Sequence, residues 1–188
     1  MSQTPDPSAP LQRPAEPRDE AFLYDLYAEN RAQELAGLAW PEAQRAAFLR
    51  MQYDARRRSH ASLPLLERLI VELHGIAAGT ISISRSDDAL HVANIALRPE
   101  FRGRGLGTRL LGGVIAEAEA SGKSVSLSVE KNNRAVRLYQ RLGFEETGDD
   151  GVYMKLERPH RPTRTASRQG KRGRNSSTQS TGSRTKTT

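Results

Sequence analysis

Hydrophobic and polar residues alternate in short segments along much of this chain, which is the pattern of strands with one buried face. Turn residues separate several of these segments, as at His74-Gly75, Asp87-Asp88 and Asp149-Asp150-Gly151. We therefore expect hairpins at the first and the last of these turns. The predicted strands are Leu11 to Pro14, Leu69 to Leu73, Ala77 to Ser84, Leu90 to Leu97, Ser124 to Val129, Phe144 to Thr147 and Val152 to Leu156.

Elsewhere, apolar residues recur at the spacing of amphipathic helices. The first helix has Asp19 as its candidate N-cap and extends to about Leu35. The second has Pro41 in its first turn and extends to about Arg57, and its expected inward-facing residues are Phe48, Met51 and Ala55. The later helices are predicted at Leu106 to Ala120 and at Asn133 to Leu142, where Gly143 is the expected left-handed cap.

The order of these elements indicates the fold class. Two helices precede a three-stranded antiparallel run, which is followed by a helix, a strand, a helix and a closing hairpin. We predict an α/β fold of the α+β type, in which helices flank a central mixed sheet that is mostly antiparallel.

A glycine-rich segment from Arg98 to Gly113, RPEFRGRGLGTRLLGG, joins a predicted strand to a predicted helix. This arrangement forms anion sites, because glycines admit close approach and the free N–H groups of the first helical turn face the ligand. The spacing excludes a Walker A loop, since Gly107 is followed by Thr108 and Arg109. It also excludes a dinucleotide fingerprint, because the third glycine is missing.

Two motifs together indicate a family. The first is Arg102-x-x-Gly105-x-Gly107, and the second is Asn132-x-x-Ala135-x-x-Leu138-Tyr139 followed by Gly143-Phe144, about 25 residues further on. Both resemble signatures of the GNAT superfamily of N-acetyltransferases, which use acetyl-coenzyme A. The resemblance covers about Leu11 to Glu157.

The resemblance implies how the co-substrate acetyl-coenzyme A is held, and it implies no metal. The strand ending in Ile95, Ala96 and Leu97 would pair with the pantetheine arm, and either Asn132 or Asn133 would bond that arm or the start of the helix. The pyrophosphate would lie against the loop and helix start formed by Arg102, Gly103, Arg104, Gly105, Leu106, Gly107 and Thr108.

It also implies catalytic roles. The N–H of Ile95 would polarise the thioester carbonyl. Tyr139 would act as general acid toward the departing thiolate, while His91 and Glu130 are the alternatives for the base that takes a proton from the amine. The chain has no cysteine, which favours direct attack in a ternary complex. Acceptor selection would fall to the first two helices and their linker, including Trp40.

Composition divides the chain into unequal parts. Its 188 residues carry a net charge of +7. From Glu157 to Thr188 there are nine Lys or Arg and one acid, whereas residues 1–156 hold 20 basic and 21 acidic side chains. We therefore expect a disordered segment at 1–10, an acetyltransferase domain at 11–156 and a disordered basic tail at 157–188.

The composition keeps other functions open. A non-catalytic acyl-coenzyme A-binding domain is one alternative, and a nucleic-acid-associated protein acting through the basic tail is another. The tail lacks aromatic residues for stacking on bases, so binding to nucleic acid or other polyanions would be weak. The sequence contains no apparent secretory signal or membrane-spanning run, so we expect a cytoplasmic protein that does not bind membranes. A homodimer remains open.

Overall fold

A seven-stranded sheet organises the computed structural model, which describes residues 10–35, 37 and 39–160. The strands lie in the order β1-β2-β3-β4-β5-β7-β6. Neighbours are antiparallel except for the parallel pair β4 and β5. The predicted fold class is confirmed. The strands are β1 (Leu11–Pro14), β2 (Leu66–Leu73), β3 (Ile76–Arg85), β4 (Ala89–Leu97), β5 (Ser124–Glu130), β6 (Glu145–Asp149) and β7 (Tyr153–Arg158).

Helices cover both faces of this sheet and follow the predicted order. They are α1 (Glu20–Leu35), α2 (Glu42–Ala61), α3 (Leu106–Ser121) and α4 (Val136–Arg141). None of the helices in the described ranges is long and apolar enough to cross a membrane. The segments predicted to be disordered, residues 1–10 and 157–188, lie outside the described residues except for Pro10 and residues 157–160, and β7 includes Glu157 and Arg158. Ala36 and Leu38 of the α1–α2 linker also lie outside them.

The two faces of the sheet bury different sets of side chains, because successive residues of a strand point to opposite sides. On β2, Val71 packs in the larger core with Leu111 of α3 and Tyr139 of α4. Its neighbour Ile70 instead packs with Leu23 of α1 and Tyr53 of α2. We call these the α3/α4 face and the α1/α2 face.

Turn chemistry fixes the register of the first hairpin. β2 and β3 are joined by His74 and Gly75, whose φ angles are 53° and 76°. Positive φ at both central residues matches the twist of the flanking strands, so this short turn favours antiparallel pairing. The hairpin predicted across these residues is confirmed.

The prediction that Asp19 caps the first helix is wrong in detail. Asp19 ends a 3-10 turn, Pro17–Asp19, that precedes α1 and has Glu16 as its N-cap. Its carboxylate accepts the backbone N–H of Glu16 at 2.8 Å and two N–H groups of Arg13 at 2.7 and 2.8 Å. The hydrogen bond from Arg13 is the main reason why the pKa of Asp19 falls to about 2.

The predicted inner face of α2 is also wrong in part. Leu49 and Tyr53 are buried, whereas Met51 is 58% exposed and Ala55 is exposed as well. The two buried residues are four apart and so share one side of the helix. The helix is rich in alanine and arginine, and its apolar pattern therefore left the orientation weakly determined. Phe48 is half-buried.

α4 begins three residues later than predicted, at Val136 rather than Asn133. The side chain of Asn133 accepts the N–H of Ala135 at 2.9 Å, which stabilises a turn in place of helix. The predicted end is confirmed: Gly143 has a φ of 83°, and Phe144 N–H donates to the carbonyl of Tyr139 at 3.1 Å. This is the bonding of a Schellman cap.

Candidate active site

The parallel strands β4 and β5 separate partway along their length. Their pairing ends at Val92 and Leu127. In β4 the register against β3 skips Ala93, and such a bulge bends a strand. Beyond this point the strands leave a gap between Ala93–Leu97 of β4 and Ser128–Glu130 of β5. We call this gap the splay.

The inner wall of the splay carries backbone groups that β3 does not use. Arg98 N–H donates to the carbonyl of Ala78 on the β3 side at 2.9 Å. Because an extended strand alternates its backbone groups, Ala96 also faces β3, while Ile95 and Leu97 face away from it. The Ile95 N–H, assigned by the resemblance to the thioester carbonyl, is therefore directed toward the splay.

Gly79 allows β3 to approach this wall closely. A Cβ atom at Gly79 would lie 2.3 Å from the carbonyl oxygen of Ala96 and 3.1 Å from Cα of Leu97. A side chain there would displace the residues that face the splay. Our sequence analysis missed this position, although an isolated glycine within a strand pattern is a signal of close backbone approach.

The glycine-rich loop leads from the splay into α3. Gly103 and Gly105 have φ angles of 72° and 79°, which glycine adopts at little cost. Gly105 is the N-cap of α3 without any side-chain cap. The first backbone bond across this turn runs from Arg109 N–H to the carbonyl of Gly105. The N–H groups of Leu106, Gly107 and Thr108 precede it and have no partner within the helix.

The two loop arginines differ in how they are held. Arg102 donates from Nε to the Leu97 carbonyl at 3.1 Å, and its guanidinium also contacts the side chain of Asn30 on α1. Arg104 lies over the ring of Phe101, with its guanidinium carbon 5.8 Å from the ring centre. Arg102 therefore links the loop to the wall of the splay, and Arg104 lies exposed beside the helix start.

Replacement of Gly105 by valine is expected to lower acetyl-coenzyme A affinity at least tenfold, or about 1.4 kcal/mol. A Cβ there meets no atom within 4 Å, so the penalty is the φ of 79° rather than a clash. Isothermal titration calorimetry measures the affinity for acetyl-coenzyme A. Gly151→Val is the matched control, since Gly151 has a φ of 93°, is equally unobstructed, and lies in the β6–β7 turn. Unchanged affinity in a folded Gly105→Val protein would contradict the loop's role.

Tyr139 lies on the α3/α4 side of the splay. It is 5% exposed, and its ring meets that of Phe144 edge-on at 5.9 Å. Burial raises the pKa of Tyr139 to about 12. The phenol therefore remains protonated and can act as a hydrogen-bond donor throughout the physiological range.

His91 lies on the α1/α2 face, opposite to Tyr139, and outside the splay. It pairs with Ser126 of β5, and its Nδ1 lies 3.0 Å from the Ser126 hydroxyl. Burial lowers the pKa of His91. Ile95 lies four residues further along β4, at most about 13 Å away on an extended strand, and the imidazole Nδ1 is engaged by Ser126.

Glu130 lies at the open end of the splay. The last β4–β5 pair is Val92 and Leu127, and Glu130 follows Leu127 by three residues on β5. The Glu130 carboxylate accepts a hydrogen bond from Arg31 of α1 at 3.1 Å and one from the Tyr153 hydroxyl at 3.3 Å. Arg31 thus joins α1 to β5 across the gap.

The two candidate asparagines have different surroundings. Asn133 already bonds the start of the α4 segment through its side chain. Asn132, one residue earlier, is exposed. Gly107 and Leu138 bring α3 and α4 close together, since a Cβ on Gly107 would lie 3.3 Å from a Leu138 methyl. Trp40 packs edge-on against Phe48 of α2, with 5.0 Å between ring centres.

Sequence analysis also missed three polar residues on the α1/α2 face at the splay. Arg31, Arg56 and Asn94 contribute side chains there, and Arg56 Nη2 donates to Asn94 Oδ1 at 2.7 Å. No motif marks them. The bulge in β4 determines that Asn94 points to this face, and the bulge depends on pairing with β3 rather than on a local motif.

Comparison with known proteins agrees with this geometry. The family model described as Acetyltransferase (GNAT) family matches residues 19–144. An uncharacterized N-acetyltransferase of Methanocaldococcus jannaschii is 40% identical over 68 residues, 35% of this chain and 30% of that protein. A putative [ribosomal protein bS18]-alanine N-acetyltransferase of Bacillus subtilis is 31% identical over 87 residues, 45% of this chain and 58% of that protein.

Solved structures share the fold. The crystal structure of the PaiA N-acetyltransferase from Thermoplasma acidophilum in complex with coenzyme A has a TM-score of 0.63, with 19% identity, and covers 81% of this chain and 99% of its own. An acetyltransferase from Thermus thermophilus gives 0.59, with 19% identity, over 80% and 97%. The chain belongs to the GNAT family of acetyltransferases, as its two motifs predicted. It spans 30% and 58% of the lengths of these two curated relatives.

Proposed function

We propose that the protein transfers the acetyl group of acetyl-coenzyme A to a primary amine, by direct attack in a ternary complex. One observation carries the proposal: the splay exposes the backbone of Ile95 and Leu97 and leads directly into the glycine-rich start of α3. Strand edge and helix start together suit a ligand with an amide-containing arm and a pyrophosphate.

The residues present fit that ligand. The backbone groups of Ile95 and the N–H of Leu97 can pair with the amides of the pantetheine arm, as a strand would, while the Leu97 carbonyl accepts from Arg102. The free N–H groups and dipole of the α3 start suit the pyrophosphate, with Arg104 as an exposed cation beside them. Asn132 is the asparagine available for the arm, because the side chain of Asn133 is engaged at α4.

In this proposal the chemistry is divided between the two faces of the sheet. Bound acetyl-coenzyme A supplies an acetyl group activated as a thioester. The Ile95 N–H polarises its carbonyl with a fixed dipole. Glu130 lies on the α1/α2 side and Tyr139 on the α3/α4 side, so the amine approaches from one face and the sulfur departs toward the other.

Tyr139 acts chiefly as a hydrogen-bond donor to the departing sulfur. With its pKa at about 12, complete proton transfer to a thiolate of pKa near 8.5 is uphill by about 5 kcal/mol. A hydrogen bond still stabilises charge as it develops on sulfur. The thiolate then takes up its proton from solvent.

The amine must lose its proton before it attacks. An ordinary alkylammonium of pKa near 10.4 is neutral about once in 2,500 molecules at pH 7, a deficit of about 4.6 kcal/mol. Glu130, at the open end of the splay on the α1/α2 side, is the base that we propose for this proton. His91 precedes Ile95 by four residues on β4 and would act through water.

Glu130→Gln is expected to lower kcat/KM on the order of a hundredfold, the usual contribution of a positioned base. His91→Asn, which keeps a hydrogen-bonding partner for Ser126, is expected to cost only a few-fold. Both are read from initial rates with the same acceptor. The opposite ranking would assign the base to His91 and contradict the position argued for Glu130.

The function itself is tested by incubating the full chain with acetyl-coenzyme A and a panel of primary amines, amino acids and peptides. Release of free thiol in step with acetylated amine is the expected result. Tight binding of acetyl-coenzyme A without product from any acceptor would support the non-catalytic alternative. The eight Lys or Arg at residues 161–188 support a separate, weaker proposal of salt-sensitive contact with polyanions.

A further inference from the structure

A cation faces the splay from the α1/α2 face. Arg56, on α2, donates from Nη2 to the side chain of Asn94 on β4 at 2.7 Å. Asn94 immediately precedes Ile95, and consecutive Cα atoms are about 3.8 Å apart. The guanidinium is therefore held by the residue next to Ile95, whose backbone N–H is proposed to polarise the thioester carbonyl.

Arg56 differs from its charged neighbours because no carboxylate among the described residues forms an ion pair with it. Arg31 pairs with Glu130, and Arg57 pairs with Glu20 at 3.4 Å. Among the described residues Arg56 forms no ion pair, and Asn94 takes only one of its five N–H groups. The remaining donors of the guanidinium fork suit a planar anion such as a carboxylate.

The surroundings of Arg56 affect its charge only in part. Its side chain is exposed to solvent, while loss of hydration to the nearby protein lowers the pKa of its guanidinium, as does repulsion from Arg31. Tyr27, Tyr153 and Glu130 partly offset these effects. An anion bound by the open donors would supply the ion-pair partner that Arg56 lacks.

We propose that the acceptor is an amine that carries a carboxylate close to its amino group, and that Arg56 binds this carboxylate while the amine faces the splay. The inference rests on the proposed acetyltransferase function and narrows its acceptor class. Because Asn94 and Ile95 are adjacent in β4, a single small molecule, or the first residues of a peptide, can reach both the Arg56 guanidinium and the Ile95 N–H.

The same charge assists the chemistry. A guanidinium near the bound amine disfavours the ammonium form and so lowers part of the cost of deprotonation. The acceptor's carboxylate offsets the repulsion while it binds. An amine without a carboxylate would not balance the charge of Arg56, and we expect it to be the poorer acceptor.

The test compares acceptors that differ only in the carboxylate. Each amino acid of a panel is paired with its decarboxylated amine, and a second arm uses short peptides with and without an acidic residue at the N-terminus. For the full chain, kcat/KM is expected to be at least tenfold higher for the carboxylate-bearing member of the preferred arm. Which arm responds distinguishes a free amino acid from a peptide terminus.

Arg56→Gln should remove that preference by lowering kcat/KM at least tenfold for the carboxylate-bearing acceptor and less than threefold for its decarboxylated partner. Arg58→Gln is the control, because it makes the same change on α2 at an exposed position. Calorimetry of the N-acetylated product with the coenzyme A complex should show the same tenfold loss of affinity for Arg56→Gln alone.

Other outcomes separate the two claims. Equal activity on both members of every pair, or equal losses on both in Arg56→Gln, would overturn the carboxylate proposal and leave acetyl transfer intact. Absence of transfer to any amine would overturn both.

Melting temperature and coenzyme A affinity verify that Arg56→Gln is folded. If it is not, Arg56→Lys, which keeps the charge and loses the fork, should still weaken product binding severalfold, and undiminished binding would overturn the proposal.

Discussion

Replacement of Gly79 by alanine is expected to lower the free energy of unfolding by about 3 kcal/mol, near the upper end of the usual cost of overpacking. The added methyl group would lie 2.3 Å from the Ala96 carbonyl oxygen and 2.7 Å from a methyl of Leu97. The clash can be relieved only if the backbone of β3 moves away from that of β4, which would break their hydrogen bonds. Urea denaturation followed by circular dichroism measures the loss.

Gly113→Ala is the matched control for this prediction. It adds the same methyl group at an exposed position in α3, where a Cβ meets no atom within 4 Å. Because alanine is the better helix former, this change should stabilise the protein by up to about 1 kcal/mol. If the two variants unfold at the same denaturant concentration, the close approach of β3 to β4 is wrong.

Tyr139→Phe is expected to lower kcat by about ten- to a hundredfold and to leave acetyl-coenzyme A affinity within a few-fold. The hydroxyl acts on charge that develops only during the reaction, so its loss lowers kcat rather than binding. The phenyl ring keeps the contact with Phe144, and stability should change little. Initial rates and calorimetry separate these effects.

Tyr24→Phe provides the control, because it removes a hydroxyl from α1 at a ring that packs against Tyr53, away from the α3/α4 face. Its kcat should equal that of the unmodified protein. If Tyr139→Phe also retains full kcat, then Tyr139 is a packing residue, and another group must stabilise the thiolate.

Local chemistry explains why much of the fold could be predicted from sequence. The His74-Gly75 turn, the glycine-rich start of α3 and the Gly143 cap each depend on a few consecutive residues with restricted φ angles. The alternating strand Ser124–Glu130 and the apolar stripe of α3 likewise contain their own signal. The two motifs that indicated the family lie in these locally determined segments.

The acceptor side of the site could not be predicted in the same way, because it is assembled from distant segments. Arg56 meets Asn94 across 38 residues, and Arg31 meets Glu130 across 99. The orientation of α2 depends on packing against α1 and β2 rather than on its own weak apolar pattern, which is why Met51 was wrongly expected to face inward.

The separation of β4 from β5 also depends on tertiary structure. Sequence placed His91 on the correct strand, but the bulge at Ala93 and the end of pairing at Val92 determine which residues border the splay. Because a one-residue bulge changes the face of the residues that follow, the faces of Asn94 to Leu97 cannot be counted from those of Leu90 and Val92. The position of Glu130 at the open end of the splay likewise depends on where the pairing ends.

The position of the thioester between β4 and β5 can be measured by NMR titration of isotopically labelled protein with acetyl-coenzyme A. Saturable shifts are expected for the backbone amides of Ile95 and Leu97 and for those of Leu106, Gly107 and Thr108 at the start of α3. Amides of β1 and of the β6–β7 turn should remain unchanged. Shifts confined to other surfaces, with the Ile95 and Leu97 amides unaffected, would contradict the proposed site.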